Sequence, residues 1–87
     1  MNGRKELAGK VAIITGSARN QGRAYAEVLA RNGADIVVHY HTSAAKSDAD
    51  ETMRLVQAQG TNAILVQGDL ADLTVVKRLF GETMRTL

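Results

Sequence analysis

Three short apolar runs alternate along the chain with segments of helical periodicity, and this alternation restricts the fold more than any other feature. The runs are Val11–Ile14, residues 36–38 and residues 63–66, and all three are rich in β-branched side chains. Each run is apolar at every position, which is typical of a strand that is covered on both faces of a sheet. The resulting order, βαβαβα without a proline, predicts an α/β fold: a parallel sheet with right-handed crossovers, as half of a doubly wound, three-layer architecture.

The segments between the runs have the spacing of amphipathic helices. In the first, residues 23–32, the predicted apolar face is Tyr25, Val28 and Leu29, flanked by Ala26 and Ala30, with Gly33 at the C-cap. The second helix is predicted to follow a polar loop over residues 43–47, to start at the acidic residues Asp48, Asp50 and Glu51, and to bury Ala49, Met53 and Val56. The third is predicted to have Asp72 as N-cap and Leu73, Val76, Phe80, Met84 and Leu87 as its stripe.

Length and composition exclude several classes of protein. With 87 residues the chain forms one domain, residues 1–87, and its 45% apolar content is that of a globular protein. The absence of cysteine excludes disulfides and thiolate metal sites and fits a reducing compartment. No apolar run is long enough for a membrane span, and a net charge of +2 gives no basis for nucleic-acid binding. We therefore expect a soluble cytoplasmic protein without membrane or nucleic-acid partners.

The stretch TGSARNQG, residues 15–22, lies between the first predicted strand and the first predicted helix. Ligands of open α/β sheets bind at this carboxyl end of the strands. Gly16 allows a sharp turn after the strand, and Gly22 allows the helix to pack closely. The backbone N–H groups at the helix N-terminus then offer a site for a pyrophosphate. The alternative is that the two glycines serve only to turn the chain.

These residues resemble the opening half of the classical short-chain dehydrogenases/reductases. Thr15, Gly16 and Gly22 match the first glycine motif of that family, while Gly33-Ala34-Asp35 and Gly68-Asp69-Leu70 match two later features. The resemblance covers essentially the whole chain and implies a dinucleotide-binding Rossmann segment. Asn20 occupies the place of the usual middle glycine; asparagine is the non-glycine residue best able to adopt a left-handed backbone. The cofactor-binding residues implied by the resemblance are Gly16, Ser17, Arg19, Asn20, Gln21, Gly22, Tyr40, His41, Thr42, Ser43, Asp69 and Leu70.

The end of the second run favours NADP(H) over NAD(H). An acidic residue there normally binds the ribose 2′-hydroxyl and repels a 2′-phosphate, but the corresponding position holds Tyr40. Arg19 stands where NADP-dependent relatives often carry an arginine, and its planar guanidinium suits a phosphate; the alternative is a solvated loop arginine. His41, Thr42 and Ser43 would add donors. Asp69 resembles the family aspartate that meets the adenine amino group, although an aspartate that only forms a turn is the alternative.

Two histidines, His39 and His41, are considered as ligands of a metal ion, which the sequence does not favour. His39 and His41 alternate on one strand end and would share a metal ion only if a third ligand lay nearby; none is evident, so we predict no metal site.

The catalytic residues of the family have no counterpart in this sequence. The resemblance implies a serine, a tyrosine and a lysine four residues after it, yet Tyr25 and Tyr40 are followed at that spacing by Leu29 and Ala44. We expect the chain to be the NADP(H)-binding part of an oxidoreductase that transfers a hydride between the nicotinamide and a carbonyl or alcohol, with the catalytic half absent and no turnover alone. The alternative is a non-catalytic nucleotide-binding or pairing module. Either a homo-oligomer or association with the missing half is expected.

Overall fold

The computed structural model describes residues 6–69 and 71–86. The elements follow the predicted order, with one additional short 3₁₀ turn before the second helix. They are β1 (Val11–Ile14), α1 (Asn20–Arg31), β2 (Asp35–Tyr40), the 3₁₀ turn (Ser43–Ala45), α2 (Lys46–Gln57), β3 (Ala63–Gln67) and α3 (Leu73–Thr86). The predicted α/β fold is confirmed, and β1 has the predicted bounds.

The three strands form one parallel sheet in the order β1-β2-β3. Ile13 of β1 is in register with Val37 of β2, and Val37 is in turn in register with Ile64 of β3. Because β2 has a neighbour on both sides, residues 36–40 are all buried, whereas Val11 of β1 is 38% exposed. This order is the one expected for the first half of a doubly wound sheet.

Successive side chains of β2 point to opposite faces of the sheet and separate the core into two parts. Ile36, Val38 and Tyr40 pack on the face that α1 and α2 cover, together with Ala26 and Val56. On the other face Val37 packs with Val66 and with Leu79 of α3. The fold therefore has three layers, as the sequence predicted.

The buried face of α1 differs from the prediction. Ala26 and Ala30 are fully buried, whereas Tyr25 is 59% and Val28 is 47% exposed. Two alanines four residues apart allow the helix axis to approach its neighbours closely, and the larger side chains on either side of this narrow stripe then remain in solvent. The apolar spacing was correctly read as helical, but it placed the centre of the buried face at the wrong residues.

The second and third helices also refine the predictions. Part of the loop predicted over residues 43–47 is helical, because the 3₁₀ turn leads into α2 at Lys46, and Thr52 is fully buried while Met53 is partly buried. Asp72 caps α3 as predicted, since its carboxylate accepts the N–H of Thr74 at 2.8 Å. The predicted stripe of α3 lies outside the described side chains; Leu79, which is described, is 4% exposed. No helix in residues 6–69 and 71–86 is long and apolar enough to cross a membrane.

Candidate functional site

The residues singled out in the sequence gather at one edge of the sheet. The loops that follow β1, β2 and β3 all leave from the carboxyl ends of parallel strands, so residues 15–19, 41–42 and 68–69 lie on the same side. This is the edge where open α/β sheets bind ligands.

The glycine-rich turn has the backbone conformations that its sequence predicts. Gly16 has a φ of 62° and nothing lies within 4 Å of where a Cβ would stand, so the turn is open on that side. Asn20 has a φ of 59° and therefore adopts the left-handed conformation expected of an asparagine in a glycine position. A Cβ on Gly22 would collide with the Gly16 carbonyl oxygen and lie 2.7 Å from Cα of Ser17. Only glycine permits α1 to start this close to the loop.

The start of α1 offers backbone donors at this edge. Arg19 is the N-cap residue, it has extended dihedral angles, and its side chain makes no capping hydrogen bond. The first N–H groups of a helix have no partner within the helix and carry the positive end of its dipole. With the open turn at Gly16 beside them, these donors fit the pyrophosphate of a dinucleotide.

His39 ties the loop after β1 to the loop after β3. The residue is 4% exposed, Nδ1 accepts a hydrogen bond from the N–H of Gly16 at 3.0 Å, and Nε2 lies 2.8 Å from the carbonyl oxygen of Gly68. Since Nδ1 is the acceptor, this hydrogen-bond network assigns the proton to Nε2, which donates to Gly68. The N–H of His39 donates to Oγ of Ser17 at 3.1 Å, and Oγ of Ser17 donates to the Ile14 carbonyl at 2.7 Å.

A second group of contacts holds the loop from the side of α2. The carbonyl oxygen of Ala18 accepts two hydrogen bonds, one from Oγ1 of Thr52 at 2.7 Å and one from Nη2 of Arg23 at 2.8 Å. Arg23 also donates from Nε to Oγ1 of Thr52 at 3.0 Å and from Nη2 to the carbonyl of Asp48 at 2.9 Å. Because this carbonyl points inward to two donors, the trans peptide that follows it points the N–H of Arg19 the opposite way.

Arg19 and Asp48 form an exposed ion pair beside this anchored carbonyl. Nη1 of Arg19 lies 3.4 Å from Oδ2 of Asp48, and the side chains are 65% and 40% exposed. The other carboxylate oxygen of Asp48 lies 3.9 Å from Nη2 of Arg23. The guanidinium predicted to read a 2′-phosphate is thus accessible and paired with a carboxylate.

The other predicted site residues fall into two groups. Ser17 and Tyr40 are 0% and 5% exposed, so their side chains support the edge from inside. The solvent-exposed residues are Gln21, His41, Thr42, Ser43 and Asp69. Leu70 lies outside the described residues.

Asp69 forms the turn that leads into α3. Its Oδ1 accepts the N–H of Ala71 at 2.8 Å, and its Oδ2 lies 3.6 Å from Nε2 of His41. The turn-forming role considered for this aspartate is therefore present in the structure.

The two histidines do not form a shared metal site. The ring of His39 is buried and uses both nitrogens in hydrogen bonds, while that of His41 is 66% exposed. Within the described ranges, no three His, Cys, Asp or Glu side chains converge as a metal site would require.

Sequence reasoning missed the support that Arg23, Thr52 and Asp48 give to the loop. The burial of Thr52 could have been predicted, because it lies three residues after Ala49 and four before Val56, on the same face of the helix. A buried hydroxyl on that face needs a hydrogen-bond partner. The identity of that partner, a carbonyl 34 residues earlier, had no signal in the sequence.

Fold and site define a doubly wound α/β protein with a glycine-rich turn at the carboxyl end of its first strand. Residues 10–87 match the family model for short chain dehydrogenase, and the chain belongs to this family.

The relatives that we compared are reductases and dehydrogenases. The chain is 38% identical over 85 residues to versicolorin reductase 1 of Aspergillus parasiticus, covering 98% of this chain and 32% of that protein. It is 41% identical over 78 residues to the short chain dehydrogenase claC of Passalora fulva, covering 90% and 28%. The chain thus spans about a third of the length of these curated relatives.

Two solved structures share the fold closely. A dehydrogenase structure from Burkholderia cenocepacia with bound NADP superposes with a TM-score of 0.87 at 36% identity, covering 98% of this chain and 32% of that one. The promiscuous reductase LugOII, described as catalysing a keto-reduction, gives a TM-score of 0.79 at 39% identity, covering 94% and 35%.

Proposed function

We propose that the chain is the NADP(H)-binding part of a short-chain dehydrogenase/reductase that transfers a hydride between the nicotinamide and a carbonyl or alcohol substrate. The cofactor would supply or accept the hydride. The described residues bind and orient it, and none of them forms the tyrosine–lysine pair that proton transfer requires in this family. We place this function in the cytoplasm, consistent with a sequence that contains no cysteine.

The observation that carries the proposal is the position of Arg19 at the mouth of the glycine-rich turn. Its guanidinium is 65% exposed, and its backbone forms the N-cap of the helix whose N–H groups would hold the pyrophosphate. The second strand ends in Tyr40 rather than in a carboxylate, so nothing at that position repels a 2′-phosphate. The NADP bound in the Burkholderia cenocepacia structure supports the same choice of cofactor.

Binding titrations with Arg19→Ala test the choice of cofactor. We expect the wild-type protein to bind NADPH more tightly than NADH, and the variant to lose about 1–3 kcal/mol toward NADPH with little change toward NADH, the range of a charge-assisted hydrogen bond. Nicotinamide fluorescence provides the dissociation constants for both cofactors.

Arg54→Ala is the matched control for this experiment. Arg54 is also 65% exposed and also pairs with a carboxylate, that of Glu51, but it lies in the last turn of α2. We expect it to leave both affinities unchanged. Equal losses toward NADPH and NADH in Arg19→Ala would show that Arg19 does not read the 2′-phosphate.

A further inference from the structure

We propose that Asp48 is a specificity-determining residue of the cofactor site: its carboxylate competes with the 2′-phosphate of NADP(H) for Arg19 and so limits the preference for NADP(H) over NAD(H). This inference rests on the proposed function, because it requires that Arg19 contacts the 2′-phosphate.

The structure fixes Asp48 at the glycine-rich loop through its backbone. Nη2 of Arg23 donates one hydrogen bond to the carbonyl oxygen of Asp48 and another to the carbonyl oxygen of Ala18 in the loop. Oγ1 of Thr52, which is fully buried, adds a second connection from α2 to Ala18 at 2.7 Å. The first turn of α2 therefore cannot move away from the loop without breaking one buried and two partly buried hydrogen bonds.

The carboxylate of Asp48 lies between the two arginines. It is 3.4 Å from Nη1 of Arg19 on one side and 3.9 Å from Nη2 of Arg23 on the other. Arg23 is committed to two carbonyl groups and to Thr52, and its side chain is only 27% exposed. Arg19 is the more exposed partner, and it is the one that can rotate toward an incoming anion.

The charge of Asp48 then affects the binding of NADP(H) but not that of NAD(H). A phosphate monoester carries about −1.5 to −2 charges near neutral pH, and it would need the guanidinium that Asp48 now contacts. The carboxylate of Asp48 also repels the 2′-phosphate. Salt weakens this repulsion, because the Debye length is about 10 Å at 0.1 M ionic strength. A 2′-hydroxyl is neutral, so NADH experiences neither effect.

The experiment compares Asp48→Asn with Asp50→Asn. Asp50 lies two residues further along α2 and is also exposed, but it pairs with Lys46 at 2.7 Å, and this hydrogen bond raises the pKa of Lys46. Both variants remove one negative charge from the same helix, and only the first removes the carboxylate beside Arg19. Dissociation constants for NADPH and NADH are measured by nicotinamide fluorescence in low and high salt, and circular dichroism verifies the fold.

We expect Asp48→Asn to bind NADPH about 3- to 5-fold more tightly and NADH within about twofold of wild type, with the gain shrinking in high salt. Asp48→Ser should show the same gain, because it also lacks the charge. Asp48→Glu and Asp50→Asn should keep the wild-type ratio of the two affinities. A purely structural role of Asp48 would change both affinities together and leave the ratio unmoved.

Two results would overturn the inference. Equal ratios in Asp48→Asn and Asp50→Asn would show that the carboxylate does not compete for Arg19. A selective loss of NADPH affinity in Asp48→Asn would show that Asp48 orients Arg19 for the phosphate instead. If the wild-type protein has no preference for NADPH over NADH, the proposed function fails and this inference fails with it. If the wild-type protein prefers NADPH and Asp48→Asn leaves that preference unchanged, only the inference about Asp48 fails.

Discussion

Individual side chains at the carboxyl edge of the sheet act on backbone groups of distant loops. The His39 ring accepts a hydrogen bond from the N–H of Gly16, which is 23 residues earlier, and donates one to the carbonyl oxygen of Gly68, which is 29 residues later. Its ring is therefore a fixed spacer between two loops that bound the candidate cofactor site. A smaller side chain at this position leaves both backbone groups without their partner.

Replacing the two histidines by alanine separates this role from a general effect of histidine loss. His39 is 4% exposed, and His39→Ala removes two hydrogen bonds and leaves a gap, so we expect it to lower the free energy of unfolding by about 1–3 kcal/mol. His41→Ala removes an exposed side chain and should stay within about 0.5 kcal/mol of wild type. Urea denaturation followed by circular dichroism measures both.

The two histidine variants would be indistinguishable if the ring of His39 contributed no net stabilisation. Nitrogen chemical shifts offer an independent measure of the same arrangement. The structure requires the proton on Nε2, and a ring with its proton on Nδ1 would contradict the hydrogen bond from Gly16.

Some properties of single residues were predictable from the sequence and others were not. The left-handed conformation of Asn20 follows from the intrinsic preference of asparagine at a position that the motif assigns to glycine. The role of His39 depends on the alignment of its ring with two backbone groups far apart in sequence. No local pattern encodes that alignment, and it becomes visible only when three strands are placed in register.

At the scale of elements, the contact between α1 and the loop that precedes it is the tightest requirement in the site. A Cβ on Gly22 would meet backbone atoms of Gly16 and Ser17, and backbone cannot move aside as a flexible side chain can. The start of α1 and the turn therefore hold each other in place.

Gly22→Ala should consequently destabilise the protein, although alanine favours helices over glycine by about 1 kcal/mol. We expect a net loss of about 1–3 kcal/mol in the free energy of unfolding, because the helix must shift to relieve the overlap. The control is Gly81→Ala in α3, where nothing lies within 4 Å of the added Cβ. That variant should be neutral or gain up to about 1 kcal/mol.

Denaturant midpoints of the two glycine variants decide this prediction. If both variants gained stability to a similar extent, the helix would have room at Gly22 that the structure does not show.

Secondary structure was predictable wherever a strong periodic signal had a clear stop. The bounds of β1, the order of the elements and the strand order all followed from the apolar runs and the parallel crossovers. The buried face of α1 did not, because Ala26 and Ala30 give a weak hydrophobic signal next to Tyr25 and Val28. Close packing through small residues is decided by the shape of the neighbouring elements, and the sequence of one helix does not contain that shape.

At the scale of the whole molecule, the edge of β1 and one face of α1 expose large apolar side chains among the described residues. Within the described residues β1 pairs only with β2. Val11 on β1 is 38% exposed, and Tyr25 and Val28 on α1 are 59% and 47% exposed. An unpaired strand edge presents a row of N–H and C=O groups that another chain can bind.

The 87-residue chain should therefore associate in solution unless a complementary segment covers the edge of β1. Size-exclusion chromatography with light scattering should report a mass above the 9.3 kDa of one chain, or poor solubility. Val11→Lys places a charge on this edge strand and should reduce the association, since charged residues on edge strands oppose pairing. Val28→Lys, which changes a similarly exposed valine on α1, is the control and should reduce it less.

A folded monomer of 9.3 kDa across the micromolar range would show that the edge of β1 does not recruit a partner. A stronger effect of Val28→Lys than of Val11→Lys would place the association on α1.

The two hydrogen bonds of the His39 ring also predict an order of events during synthesis. Chains generally fold from their N-terminal side as they leave the ribosome. Gly16 and His39 emerge long before Gly68, so the ring can contact the first loop but has no acceptor for Nε2 until β3 has been made and has docked on β2. We therefore expect the docking of β3 on β2 and the second hydrogen bond of the His39 ring to form together. A nascent chain that has not yet released β3 would present the first loop without the hydrogen bond between the His39 ring and Gly68.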